Sequence, residues 1–101
     1  GQAQVLLKQE QASVTGRPTK SAQIECRGEG ISDFGSDYIH WYRQLPTKAP
    51  ERILYFGSDV AYDDSSYKNK YSAWKRGGDT CVLRINDINS ADEGIYYCAY
   101  W

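Results

Sequence analysis

The stretch "DEGIYYC", Asp92–Cys98, decides how the chain is read. Tyr96 and Cys98 fall on one side of an extended backbone, and Tyr97 and Ala99 fall on the other. That period of two is the mark of a strand with one buried face. Gly94 lets the chain enter the strand. The preceding "NSADEG", 89–94, is too short for a helix and reads as one turn. The same alternation recurs upstream in "AQIEC", 22–26, "YIHWYRQ", 38–44, "ERILYF", 51–56, and "TCVLRINDI", 80–88. It sets Ile39 and Trp41 against His40, Tyr42 and Gln44, and Cys81, Leu83 and Ile85 against Val82 and Arg84. Between the runs lie "TGRPTK", "GEGISDFGSD", "LPTKAP", "FGSDVAYDDSS" and "KRGGD", all turn or loop chemistry. Short strands at this spacing predict an all-β antiparallel sandwich or barrel.

The 101 residues form a single domain, 1–101, by size, and net charge is -1. A nucleic-acid partner therefore gains no support from electrostatics. No apolar run is long enough to span a membrane. The opening "GQAQVLLKQEQ" lacks the basic and apolar regions of an intact signal peptide, so a surface protein would be represented by its processed ectodomain. Three cysteines, Cys26, Cys81 and Cys98, allow at most one intramolecular disulfide and leave one thiol over.

Cys26 and Cys98 stand 72 positions apart, with Trp41 15 after the first. That spacing fits the immunoglobulin sandwich, in which a disulfide joins two sheets against a buried tryptophan. A loop of that length gives about 4 kcal/mol of stabilisation in the chain-entropy view. Tyr96, two residues before the second cysteine, is placed for a tyrosine corner. Trp41, Leu83 and Tyr96 are the expected core. By strand phase Cys81 also faces inward and reads as a small buried hydrophobe that stays reduced, not as an interchain bridge.

"YIHWYRQ", "KAPERILYF", "KYSAW", "LRI" and "DEGIYYCAYW" resemble the variable domain of T-cell receptor γ chains, and the resemblance runs the length of the chain. It implies a V-type Greek-key sandwich. It also implies a face that pairs with a second variable domain, of δ type, through Tyr42, Gln44, Ala49, Pro50, Tyr55 and Tyr97. Tyrosines bury large area at small entropic cost, and a glutamine can bond reciprocally across a twofold axis. Arg43, Glu51 and Asp92 fall where related domains keep a structural ion-pair network at the base. His40 lacks companions for a metal site and reads as a packing residue beneath the loops.

Residues 28–38, 56–62 and 99 onward match the three hypervariable loops. They offer Glu29, Asp33, Phe34, Asp37, Tyr38, Phe56, Asp59, Tyr62, Tyr100 and Trp101 for a protein or protein-presented antigen. Asp63 and Asp64 lie just beyond, and the first two loops hold no Lys or Arg, so a mildly acidic tip is expected. Lys75, Arg76 and Asp79 match the family's outer fourth loop. No spaced calcium loop, metal set, cofactor motif or nucleophile constellation is present, so no cofactor and no catalysis are expected. The family continues past "CAYW" through a Phe-Gly-x-Gly segment and a final strand, neither of which is in this sequence. The strand through Tyr96–Tyr100 is therefore expected to have an unpaired edge, with the third loop incomplete. The resemblance implies an ectodomain of a membrane receptor at the cell surface, with a signalling complex reached through parts outside this chain. The alternative is a non-clonal V-like ectodomain: an adhesion, co-receptor or surrogate chain.

Overall fold

Alternating apolar and polar side chains build two sheets that enclose one core. The computed structural model describes residues 8–9, 12–14, 20–28, 38–77 and 79–100. Its strands are β1 Lys8–Gln9, β2 Ala12–Val14, β3 Lys20–Arg27, β4 Ile39–Gln44, β5 Glu51–Phe56, β6 Val60–Tyr62, β7 Tyr71–Arg76, β8 Thr80–Ile88 and β9 Gly94–Tyr100. Among the described residues, one sheet has the order β1-β3-β8-β7 and the other β2-β9-β4-β5-β6. All pairings are antiparallel. This is the V-type sandwich expected from the sequence.

Trp41 lies between the sheets at 1% exposure, with Leu83 and Tyr96 fully buried near it. Cys26 of β3 and Cys98 of β9 are joined by a disulfide that crosses the core. Cys81 is a buried free thiol, and its sulfur accepts a 3.4 Å hydrogen bond from Trp41 Nε1. Burial pushes its pKa up against the opposing pull of the indole N–H and Lys75, so the thiol stays protonated. Cys81 is also the register partner of Cys26 on the neighbouring strand. Val82, on the outward side of β8, is nevertheless fully buried.

The turn before the last strand is a single 3-10 turn, Ser90–Asp92, closed by a capping box between Asn89 and Asp92. Tyr96 then donates its hydroxyl to the Asp92 carbonyl at 2.8 Å, completing the tyrosine corner. Gly94 is needed for close approach, because a Cβ there would sit 2.6 Å from the Gln44 carbonyl oxygen.

Of the edge expected to be bare, Tyr96–Tyr100, only Tyr96 needs correction. Ala12, Ser13 and Val14 pair with Tyr96, Ile95 and Gly94, so β2 covers the first part of that edge. Backbone groups at a sheet margin recruit whatever extended segment lies beside them.

The turn joining β4 to β5 is closed by a 3.1 Å bond from Lys48 N–H to the Leu45 carbonyl. Pro46 fixes a negative φ, and Thr47 sits at φ 60, which makes the turn type II. A β-branched residue is strained in that region. Thr47→Gly is expected to stabilise the domain by roughly 1 kcal/mol, read as a rise in the denaturation midpoint at constant slope.

Candidate functional site

Alternation along β4 sends His40, Tyr42 and Gln44 to the outer face of the five-stranded sheet. Tyr42 is opposite Tyr97 of β9, and their rings stack at 5.5 Å between centroids, 13° from parallel. Gln44 is exposed and donates from Nε2 to the Lys48 carbonyl at 3.3 Å. Ala49 and Pro50 are exposed beside the same turn. Tyr55 stands opposite His40, with rings 5.8 Å apart. At the lower end of this face Ile95 is 40% exposed. It borders an open groove of about 290 Å³ whose other walls are Gln44–Thr47 and Gly94.

A register shift between Trp41 and Tyr42 changes what β5 contributes. Ile53 and Leu54 are both fully buried, although they are consecutive. The extra residue turns Arg52 outward, opposite Tyr42. Asp63 holds the Arg52 guanidinium through contacts of 2.8, 2.9 and 3.1 Å. The guanidinium lies 4.7 Å over the Tyr55 ring, and NH1 reaches His40 Nδ1 at 3.3 Å. Because an arginine only donates, this contact is a hydrogen bond only when Nδ1 is unprotonated and the imidazole neutral. Burial, and then the Arg52 cation, lower the His40 pKa, while Asp63 works the other way.

The loop end differs from expectation in two places. Phe56 is the last residue of β5, packed on the core with the Lys75 ammonium 5.3 Å from its ring centroid, so it is a strand residue. Tyr62 belongs to β6, packs on the core and donates to the Tyr71 carbonyl at 2.8 Å. The two carboxylates just beyond the second loop have partners within the domain. Asp63 is neutralised by Arg52, and Asp64 caps the 3-10 turn Ser65–Asn69. Bonds from the Ser66 backbone and hydroxyl lower the Asp64 pKa. Tyr38 does stand out, at 57% exposure, against Tyr55 and over Gly57. Asp59 is exposed, and its carbonyl accepts from Gly57 N–H. Tyr100 is placed by its backbone, opposite Ile39. Glu29, Asp33, Phe34, Asp37 and Trp101 lie outside the described residues.

The base network forms, with one partner exchanged. Arg43 pairs with Glu51 at 2.7 Å and donates to the hydroxyls of Tyr71 and Tyr67 at 2.8 and 3.3 Å. Asp92, expected beside Arg43, pairs instead with Lys70 at 2.6 Å and accepts from Asn89 N–H. Lys70 precedes β7 and also donates to the Asp87 carbonyl. Tyr71 accepts from Arg43, Tyr96 donates to Asp92, and burial raises both their pKa values.

Arg52, Lys70, Tyr67 and Tyr71 were not singled out from the sequence, and Asp63 was named only as an acidic residue beyond the second loop. Opposite charges at the two ends of the "ERILYFGSDVAYDD" hairpin were the available sign of the Arg52–Asp63 pair. Among the described residues no three His, Cys, Asp or Glu side chains gather to hold a metal ion, and no helix is long and apolar enough to cross a membrane.

The family model described as "Immunoglobulin V-set domain" matches residues 9–101. Human "T cell receptor gamma variable 3" is 35% identical over 92 residues, covering 88% of this chain and 75% of that protein. Human "T cell receptor gamma variable 4" is 30% identical over the same length and shares of both. A solved structure described as "Marsupial T cell receptor" matches with a TM-score of 0.79 at 36% identity, covering 94% of this chain. This chain spans 43% of that one, less than half of its length.

Proposed function

The chain belongs to the immunoglobulin V-set family, among the T-cell receptor γ variable domains, and from that premise we propose that it is the antigen-recognition domain of a γδ-type receptor. The family is one of non-enzymatic receptor domains, and T-cell receptor variable domains are ectodomains of membrane receptors. In this reading the chain acts by binding alone. It sits on the extracellular side of the plasma membrane and signals through parts of the receptor beyond this domain.

The observation that carries the reading is the Tyr42–Tyr97 stack, flanked by Gln44 and Tyr55, on the outer face of the five-stranded sheet. Flat aromatic area already ordered by stacking loses little entropy when a partner covers it. Gln44 is exposed, and its side-chain amide can bond to the opposing domain. Ala49 and Pro50 at the margin permit close approach. The partner is a second variable domain of δ type. Pairing brings the loop ends of both domains together, so that Tyr38, Asp59 and the segments around them face a protein or protein-presented antigen.

The test is assembly. The receptor chain's ectodomain, mixed with a δ-chain ectodomain, is expected to elute as a one-to-one heterodimer in size-exclusion chromatography with light scattering. Elution of both as monomers at micromolar concentration would refute the pairing.

A further inference from the structure

We infer that the pairing face contains a proton-sensitive element, His40, whose protonation weakens pairing; this deepens the reading above and rests on it. His40 is the chain's sole histidine. It projects from β4 between Tyr38 and Tyr42 on the outer face. From β5, Arg52 NH1 stands 3.3 Å from its Nδ1 and the Tyr55 ring packs at 5.8 Å. Asp63, just after β6, binds Arg52 through both oxygens and fixes the guanidinium in place. From β9, Ala99 lies opposite the histidine, and Tyr97 lies two positions along, opposite Tyr42. Among the described residues, the charged groups facing the ring are therefore Arg52 and Asp63. The other titratable groups there are Tyr38, Tyr42, Tyr55 and Tyr97.

The contact works in one protonation state. With Nδ1 unprotonated, it accepts from Arg52. A proton on Nδ1 would set N–H against N–H and place two cations side by side. In the free domain the half-buried ring is open to water that screens that conflict. A partner covering the face excludes that water. Proton uptake and pairing therefore oppose one another, and the coupling is reciprocal. The sign follows from the proton count. The unpaired chain binds more protons than the pair in this window, so pairing strengthens as pH rises and weakens as pH falls through the free chain's His40 pKa, below the ordinary histidine value of about 6.5. Burial and Arg52 already hold the free domain's His40 below that value, with Asp63 opposing, and a partner's cover lowers it further.

The experiment measures the dissociation constant of the receptor-chain ectodomain and a δ-chain ectodomain at about pH 7.4 and about pH 5.5, for the native chain, His40→Gln and His40→Phe. The native pair is expected to weaken about threefold, since a one-unit pKa difference reaches its full tenfold only well below both pKa values, and both variants by less than about 1.5-fold. The His40 ring resonance, identified by its loss in His40→Gln, is expected to titrate at lower pH in the pair than in the free chain. Absence of any pairing at the higher pH would overturn the pairing reading, and this inference with it. Pairing with the same pH dependence in the native and variant chains, or a His40 titration unmoved by pairing, would overturn this inference alone.

Discussion

Trp41→Ala is expected to lose about 3–5 kcal/mol of stability. The indole is 1% exposed, faces Cys98 on β9 and Leu54 on β5, and gives its N–H to Cys81. Its removal opens a void between two sheets that strand pairing and a disulfide hold in position, so neither can collapse fully to fill it. A buried thiol also loses its donor. Domains of this size have about 5–15 kcal/mol in total, so the variant is expected to populate unfolded chain near body temperature. Urea unfolding with the disulfide intact is the measurement. A loss below about 1 kcal/mol would mean that the tryptophan is not the packing centre of the sandwich.

The second large effect is on assembly. Gln44→Arg with Tyr97→Asp is expected to abolish heterodimer formation while the monomer stays folded. Gln44 is exposed and Tyr97 is directed outward, so neither substitution enters the core. In a paired face, however, each new charge must be stripped of water. A buried charge without a matched partner costs about 2–5 kcal/mol, and each 1.4 kcal/mol is tenfold in affinity. Loss of the Tyr97 ring also leaves Tyr42 without its stacking partner. An unchanged circular dichroism spectrum with more than about 100-fold weaker association is the expected pair of results. Unaltered association would place the docking surface elsewhere.

What the sequence revealed, and what it hid, follows from which features are periodic. Cys26, Trp41, Tyr96 and Cys98 were legible because strand phase and chain separation fix them together. The Tyr42–Tyr97 side of the sheet was legible by the same phase. Arg52 was not, because counting by twos from Tyr55 sends it to the wrong face, and only the bulge at Ile53–Leu54 turns it outward. Lys70 escaped notice because it lies in a turn, where no periodicity assigns a side chain to a partner. Phe56 and Tyr62 were counted as loop residues because the loop bounds came from resemblance, while the hydrogen bonds extend β5 and begin β6 further than those bounds. The β2–β9 pairing depends on which segment lies nearest an edge, a long-range fact that local composition does not carry.

Gly57 leaves no room for a side chain: a Cβ there would fall 2.0 Å from Tyr38 Cε1. The segment leading into β4 and the turn after β5 therefore cannot vary independently. Any mutation at this glycine displaces a ring that lies against Tyr55, which in turn carries the Arg52 guanidinium. A change in one segment is thus transmitted to its neighbour, and this end of the domain can carry fewer combinations of side chains than two separate segments would allow.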